Sequence, residues 1–300
     1  MPPATLAADL GGTTIKLGVV ADGRVLAFER HPAQAAGGLA ARLPELARSW
    51  QRLLEGAGSP DVGGVGLALP CLLSRDRRRV LSTVDKYPDV MGLDLDTWAR
   101  ETWGVPVTFE GDAVAALLGE HARGAARTCE DAAMLTFGTG IGSAVLIGGR
   151  PFRGAHGAGG VLMGHQTVRL DGDLCLCGNV GCVETEASTW ALRRRHGPHA
   201  DLEWLFAGGA PDAGRLALRD HVLDAWAAAL VGVVHAFDPG CVVLGGGAMA
   251  SAARILPRLA AAVRARAWRP ASLPPLPIVA GTLGDRAALV GLDAAVRTLA

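Results

Sequence analysis

The sequence predicts an α/β protein of two lobes, each built on a mixed sheet and related by internal duplication. Its 300 residues are 50% hydrophobic and 19% charged, which is enough apolar material for two compact cores. Strand-like runs at residues 5–8, 15–20 and 24–29, separated by glycine-containing turns, predict an antiparallel meander. A helix-spaced apolar stretch follows, and a second meander begins near residue 133.

The duplication is visible in one motif that occurs twice. Gly12-Thr-Thr-Ile15 matches Gly138-Thr-Gly-Ile141, and residues 19–24 resemble residues 145–150 at the same offset, without a gap. Glycines let a backbone approach an anion, and successive amides and threonine hydroxyls donate hydrogen bonds to it. A single hairpin of this kind is usually only a turn, but the pair predicts a site for a polyphosphate. The residues predicted to hold it are Gly11, Gly12, Thr13, Thr14, Gly138, Thr139 and Gly140.

The charge pattern argues against a polymeric partner. The formal net charge is zero and the basic residues are scattered, so we expect neither nucleic-acid binding nor a membrane anchor. Two uncharged stretches, residues 132–149 and 225–237, are interrupted by glycine or too short to span a bilayer. The chain opens without a charged-then-apolar leader, and we therefore expect a cytoplasmic protein.

Two aspartates are candidates for phosphoryl-transfer chemistry. Asp9 ends the first strand beside the first hairpin, where a carboxylate would meet the cation that accompanies nucleotide phosphates or would simply stabilise the turn. Asp112 precedes a predicted helix at residues 113–121. It is therefore either the N-cap of that helix or the carboxylate that accepts a proton from an acceptor hydroxyl.

A cluster of one histidine and three cysteines predicts a metal site. It spans 18 residues and comprises His165, Cys175, Cys177 and Cys182. One His and three Cys side chains complete a tetrahedral zinc site, and the intervening glycines permit the required turns. A disulfide or free buried thiols are the alternatives, of which a reducing cytoplasm disfavours the first. The remaining cysteines, expected to be small core residues, are Cys71, Cys129 and Cys241.

The same cluster carries a family resemblance. The run from Gly164-His165 through Cys-x-Cys-Gly-x-x-Gly-Cys-x-Glu184 resembles the zinc motif of the ROK family, which comprises bacterial sugar kinases and sugar-responsive repressors. Residues 9–16 and 135–143 resemble the family's two phosphate segments, residues 238–247 its adenosine-side turn, and residues 283–291 its closing helix. The resemblance therefore spans almost the whole chain and implies a two-lobed actin/hexokinase-like, or ribonuclease H-like, fold.

The resemblance also implies a division of the chain and of its ligands. It implies an N-terminal lobe at residues 1–112, a C-terminal lobe at 113–284, and a closing helix at 285–300 that packs back on the N-terminal lobe. It further implies ATP with Mg²⁺ as phosphoryl donor, a hexose or hexose derivative as acceptor, a structural Zn²⁺ and a homodimer. A repressor is not expected, because the first phosphate segment begins too close to Met1 for a helix-turn-helix to precede it.

Roles for individual residues follow from the resemblance. Asp112 would be the general base, while His165 and Glu184 would hold other sugar hydroxyls, with His165 using its second ring nitrogen to bind zinc. Asp9 would lie at the phosphates and magnesium together with both hairpins. The nucleoside would pass close to the backbone of Gly245, Gly246 and Gly247.

Four departures from the family pattern fall where the sugar would bind. Gly111 replaces an asparagine, Leu162 replaces a glutamate, Asp85-Lys-Tyr87 occupies a segment expected to contain asparagine, and Cys71 stands where glycine is usual. Losing two hydroxyl partners disfavours glucose itself. We therefore expect altered sugar specificity, with the sugar and the choice of ATP or polyphosphate undetermined. The alternative is a weakly active or non-catalytic sugar-binding protein.

Overall fold

The computed structural model describes residues 2–83, 86–209 and 212–299, which fold as two compact units. The first unit consists of Met1–Thr128, Pro151–Gly159 and Thr282–Ala300, and the second of Cys129–Arg150 and Gly160–Gly281. This division differs from the lobes expected at 1–112 and 113–284. The helix after residue 111 stays with the first unit because it packs along the last helix of the chain.

The strands of the first unit form one five-stranded sheet and a small hairpin. They are β1 (Ala4–Leu10), β2 (Thr14–Ala21), β3 (Arg24–Pro32), β4 (Val62–Leu69), β5 (Cys71–Leu73), β6 (Val80–Thr83) and β7 (Val107–Gly111). The sheet has the order β3-β2-β1-β4-β7, with β1, β2 and β3 antiparallel and β1, β4 and β7 parallel. Strands β5 and β6 pair separately.

The second unit repeats this topology. Its strands are β8 (Ala132–Phe137), β9 (Ile141–Ile147), β11 (Cys241–Gly245) and β12 (Ile278–Ala280), together with β10 (Arg150–Pro151), whose second residue is the first of the Pro151–Gly159 segment. The order β10-β9-β8-β11-β12, with β8 and β9 antiparallel and β8, β11 and β12 parallel, reproduces the first sheet strand for strand. The predicted duplication of a mixed-sheet domain is therefore confirmed.

The helices cover the sheets. They are α1 (Leu43–Gly56), α2 (Leu95–Trp103), α3 (Asp112–Arg123), α4 (Val183–Ala187), α5 (Thr189–His196), α6 (Leu202–Phe206), α7 (Ala213–Phe237), α8 (Ala252–Arg266) and α9 (Ala287–Leu299). Within the described segments, no helix has the length and apolar character needed to cross a membrane.

The closing helix α9 packs against β1, β4 and α3. Its contact with α3 is close because two glycines lie at the crossing. A Cβ atom on Gly119 would lie 2.0 Å from the carbonyl oxygen of Ala287, and one on Gly291 would lie 1.8 Å from that of Ala115. No side chain fits at either position, so the two helix backbones approach as closely as their atoms allow.

Of the two alternatives for Asp112, the N-cap of α3 is excluded. The N-cap is Gly111, with extended backbone and no side-chain hydrogen bond, and Asp112 is the first helical residue. Its Oδ1 accepts a hydrogen bond from the neighbouring Ala113 amide at 2.7 Å, whereas a capping side chain would reach an amide two or three residues further along.

Candidate active site and metal centre

The first hairpin connects β1 to β2. Asp9 pairs with Lys16 and Leu10 with Ile15 across the ladder, which leaves residues 11–14 as the turn. A Cβ atom on Gly11 would lie 2.7 Å from the carbonyl oxygen of Thr14, so the turn requires glycine there. Gly12 and Thr13 are exposed and are available to an anion.

Asp9 lies at the base of this hairpin and is 8% exposed. Its Oδ2 is 3.0 Å from the Lys16 ammonium, which is also 3.3 Å from Asp285. Burial would lower the pKa of Lys16, but the two carboxylates outweigh it and the pKa is raised. Lys16 therefore stays charged and neutralises Asp9, so a cation at Asp9 would bind beside a fixed ammonium.

Asp112 lies at the N-terminus of α3, and its side chain is accessible to solvent. The pKa of its carboxyl is raised, first because the surrounding protein desolvates it and second because Asp9 is nearby and negatively charged. The raised pKa makes this carboxylate a stronger base than an ordinary aspartate, as proton abstraction requires. The predicted base thus has the electrostatic environment that its role needs.

Tyr87 anchors the first hairpin through a hydrogen bond to its backbone. It is the only tyrosine of the chain and is fully buried, and its hydroxyl donates to the carbonyl oxygen of Gly11 at 3.0 Å. Burial raises its pKa to about 12, so the hydroxyl remains a donor at neutral pH. In the sequence, Tyr87 is visible only as part of a departure from the family pattern. Asp85 of the same segment lies outside the described residues.

Glu110 is a buried carboxylate that no sequence motif indicated. It lies on β7 two residues before Asp112 and is 0% exposed. Its Oε1 is 2.7 Å from Arg77 and 2.5 Å from Arg153. One carboxylate therefore joins β7 to the loop between β5 and β6 and to the Pro151–Gly159 segment. No local sequence pattern indicated it, because both arginines are distant in sequence.

The second hairpin, residues 138–140, is held by helix termini. The first amides of α5, those of Thr189 and Trp190, donate to the carbonyl oxygens of Gly138 and Thr139, each at 3.0 Å. Oε2 of Glu184 accepts the Ile141 amide at 2.7 Å. Glu184, predicted as a sugar ligand, therefore contacts the phosphate hairpin directly through one carboxylate oxygen.

The four predicted metal ligands lie together. The ligating atoms of His165, Cys175, Cys177 and Cys182 are all within 4.8 Å of one another. Nδ1 of the histidine is 3.6 Å from Cys175 Sγ, and Cys177 Sγ is 3.7 Å from Cys182 Sγ. Burial raises the pKa of Cys182 to about 12. Clustered thiols of this kind ionise together only beside a cation, so the donor set fits a tetrahedral divalent metal.

Backbone turns keep the cluster closed. The Asn179 side chain donates to Cys182 Sγ at 3.4 Å and to the His165 carbonyl oxygen at 3.2 Å. Gly181 has a φ of 66°, and a Cβ there would lie 1.6 Å from the Arg169 carbonyl oxygen. The metal loop therefore requires glycine at this position.

The residues around the histidine leave one ring nitrogen available. Since Nδ1 of His165 faces Cys175, Nε2 points away from the cluster, and it has no hydrogen-bond partner among residues 2–83, 86–209 and 212–299. Leu162, three residues earlier, is 46% exposed. An apolar side chain therefore reaches solvent where the family pattern has a carboxylate.

The predicted nucleoside turn follows β11. Gly246 has a φ of 82°, and a Cβ there would lie 2.4 Å from the Phe137 carbonyl oxygen. Gly245 ends the strand and Gly247 begins a 3-10 helix. The backbone thus crosses close to the end of β8, from which the second hairpin starts.

Two duplicated mixed sheets, each with a glycine-threonine hairpin after its first strand, define a protein of the actin/hexokinase-like fold class. The ROK family model matches residues 5–298, and the chain belongs to the ROK family.

Relatives and solved structures agree with this assignment. A glucokinase from Thermotoga maritima is 34% identical over 259 residues, 80% of either chain. The ROK hexokinase from Thermus thermophilus has a TM-score of 0.82 at 33% identity and 99% coverage of both chains. A ROK family glucokinase from Streptomyces griseus, solved with glucose and AMPPNP, has a TM-score of 0.78 at 26% identity, covering 98% of this chain and 99% of that one.

Proposed function

We propose that this protein transfers the terminal phosphoryl group of ATP to a hydroxyl of a hexose or hexose derivative. The observation that carries the proposal is Asp112: a solvent-accessible carboxylate with a raised pKa, close enough to Asp9 at the first phosphate hairpin for their charges to interact. Relatives named glucokinase and a related structure with glucose and AMPPNP support the same reaction class.

In the proposed mechanism the protein mainly positions the two substrates and deprotonates the acceptor hydroxyl. Asp112 accepts the proton of the acceptor hydroxyl, while each hairpin offers backbone amides and threonine hydroxyls to phosphate groups. Magnesium, when bound with ATP, would neutralise phosphate charge, and Asp9 is the carboxylate to hold it directly or through water. Gly245, Gly246 and Gly247 would let the backbone pass close to the nucleoside.

We propose a structural zinc ion at the His165, Cys175, Cys177 and Cys182 cluster. Four protein ligands leave no open position for substrate, so the metal would fix the loop rather than activate water. Nε2 of His165 and the free oxygen of Glu184 would then bind sugar hydroxyls. We also propose that the protein is cytoplasmic and that it forms a homodimer, as the family resemblance implies.

The acceptor is proposed to differ from glucose at one or two positions. Gly111 and Leu162 provide no hydrogen bond where the family pattern has an amide and a carboxylate. A site that lacks such partners discriminates poorly for the hydroxyls they would bind and accepts a less polar or substituted position. The same two losses favour the second candidate function, a sugar-binding protein with weak or no turnover.

Replacement of Asp112 by asparagine tests the proposal. Purified protein is assayed with Mg-ATP, and separately with polyphosphate, against glucose, mannose, N-acetylated hexosamines and rarer hexoses. We expect one or more acceptors for the wild type and a loss of at least about 100-fold in kcat for Asp112→Asn. Because the pKa of Asp112 is raised, wild-type kcat should fall with decreasing pH at a higher pH than an ordinary aspartate would give.

The control is Asp61→Asn, which removes an exposed carboxylate of the same unit and should leave kcat unchanged. Substantial turnover by Asp112→Asn would refute its role as base. Silence of the wild type across the panel, with sugar binding retained, would favour the non-catalytic sugar-binding protein.

A further inference from the structure

Both lysines of this chain lie at the first phosphate hairpin. The sequence has 29 Lys and Arg residues, of which only Lys16 and Lys86 are lysines. Lys16 is paired with Asp9 and Asp285. Lys86 makes no ion pair or side-chain hydrogen bond in the part of the chain that the structure describes. One ammonium is thus neutralised at the base of the hairpin, and the other is available to a ligand.

Lys86 lies directly over the turn of the hairpin. A Cβ atom on Gly12 would lie 2.7 Å from Lys86 Cε and 3.3 Å from its Nζ. The end of the lysine side chain therefore lies against Gly12, and its ammonium is beside the exposed backbone of the predicted phosphate cradle. A lysine suits this position because it is a compact point charge, whereas the guanidinium of arginine is larger and planar.

The same ammonium is close to the proposed base. The charge of Lys86 favours the ionised forms of both Asp112 and Cys71, opposing the desolvation that raises their pKa values. An ammonium with no ion-pair partner among the described residues thus lies against the hairpin and close enough to interact with the carboxylate that would deprotonate the acceptor. In a phosphoryl transfer, negative charge develops on the phosphoryl group as it passes from the donor to the acceptor. Here the donor would lie at the hairpin and the acceptor at the Asp112 carboxylate.

The residue that follows this lysine is held in place by two hydrogen bonds. Tyr87 has a φ of 51°, the left-handed region that a bulky residue rarely adopts. Its amide donates to the Ala35 carbonyl oxygen at 2.9 Å and its hydroxyl to that of Gly11 at 3.0 Å. Strained backbone of this kind persists only where the surroundings hold it, and it is frequent at functional sites.

We propose that Lys86 is a further catalytic residue, whose ammonium contacts the terminal phosphoryl group of the donor as it passes to the acceptor held at Asp112. The inference rests on the proposed function. In the step, the bond from the terminal phosphorus to the bridging oxygen breaks and a bond to the acceptor oxygen forms. The hydroxyl proton goes to Asp112, the nucleoside diphosphate leaves with the bridging electrons, and Lys86 remains protonated throughout.

The first test is nucleotide binding, which requires no turnover. Calorimetric titrations of Mg-ATP and Mg-ADP are compared for the wild type and Lys86→Met, which keeps an unbranched stem against Gly12. Because Lys86 contacts only the terminal phosphoryl group, we expect Lys86→Met to weaken ATP binding by about 10- to 100-fold and to leave ADP binding unchanged.

The matched control is Arg78→Met, which removes an exposed cation from the same unit and should change neither affinity. An unaltered ratio of ATP to ADP affinity in Lys86→Met overturns the inference. A wild type that binds neither nucleotide overturns both this inference and the proposed function. Selective loss of ATP binding in a protein that phosphorylates no acceptor supports the lysine's contact while refuting the kinase.

Kinetics separate this role from that of a simple counter-ion. With an active acceptor, Lys86→Met should lower kcat by about 100-fold with little change in the sugar KM. Ethylammonium should partly restore the turnover of Lys86→Ala. If the lysine served only to lower the pKa of Asp112, Lys86→Met would shift the pH profile of kcat to higher pH. The ratio of ATP to ADP affinity and the plateau of kcat at high pH would then be unchanged. That result overturns the inference.

Discussion

At the scale of single residues, the metal centre depends on short turns rather than on packing. Cys177 is exposed, and Cys175 and Cys182 are buried, so the loop has little apolar core of its own. Its leucines Leu170, Leu174 and Leu176 are exposed, which also indicates that the loop lacks an apolar core. A loop that buries this little surface needs a bound metal to offset the entropy of its ordering.

Cys177→Ser should therefore lower metal content and stability together. We expect bound zinc to fall from one to well below one per chain, with a fall in Tm of several degrees, because serine is a poor ligand for zinc. Elemental analysis and thermal unfolding measure the two effects. Cys129→Ser, a change at a half-buried cysteine outside the cluster, is the control, and an unchanged zinc content in Cys177→Ser would exclude the site.

Residues could be predicted from sequence where their partners are close along the chain. The metal cluster and both hairpins are local motifs, so spacing alone identified them. Tyr87 and Glu110 act on partners at least 33 residues away, and no local pattern indicates which distant groups a buried polar side chain will meet. The sequence left two roles open for Asp112, because aspartate is a common N-cap as well as a possible base, and Gly111 occupies the N-cap position instead.

At the scale of elements, β7 links three segments of the first unit through one side chain. Glu110 is fully buried between two arginines whose side chains are 18% and 22% exposed. The pair of guanidinium groups is stable there only because the carboxylate lies between them. The end of β7, and with it the start of α3 that carries Asp112, is therefore held by an ionic contact as well as by the sheet.

Glu110→Gln should destabilise the protein by about 3–5 kcal/mol, because it leaves two partly buried arginines without a counter-charge. Chemical denaturation measures the change. Glu101→Gln, at an exposed position on α2, should change the free energy of unfolding by less than about 0.5 kcal/mol. A loss below about 1 kcal/mol for Glu110→Gln would mean that water replaces the carboxylate and that the ionic contact does not hold β7.

At the scale of the whole molecule, the duplicated topology could be predicted, whereas the boundary between the units could not. The ungapped repeat predicted two meanders, and the two five-stranded sheets have the same strand order. The boundary depends on which helix packs on which sheet. The glycines that let α9 meet α3 carry no periodic signal, and the first unit therefore extends to Thr128 rather than to residue 112.

Gly291→Ala tests how far the α3 and α9 contact supports the first unit. The new methyl group would lie 1.8 Å from the Ala115 carbonyl oxygen, so the helices must separate, and we expect a loss of about 1–3 kcal/mol from overpacking. Turnover should fall with it, since α3 carries Asp112. Gly56→Ala, where nothing lies within 4 Å of the added Cβ, is the control. An unchanged free energy of unfolding for Gly291→Ala would show that α3 and α9 separate at no cost and that their close contact does not support the first unit.

The discontinuous first unit has a consequence for biosynthesis. Asp293 on α9 accepts hydrogen bonds from the Thr5 hydroxyl and the Gly23 amide, both at 2.8 Å. A ribosome makes those partners early, and it makes α9 only after the whole of the second unit. The face of the first sheet that α9 covers therefore stays exposed to water while more than half of the chain is translated. At about 5–20 residues per second this interval lasts roughly ten seconds or more, during which a chaperone has the opportunity to bind that face.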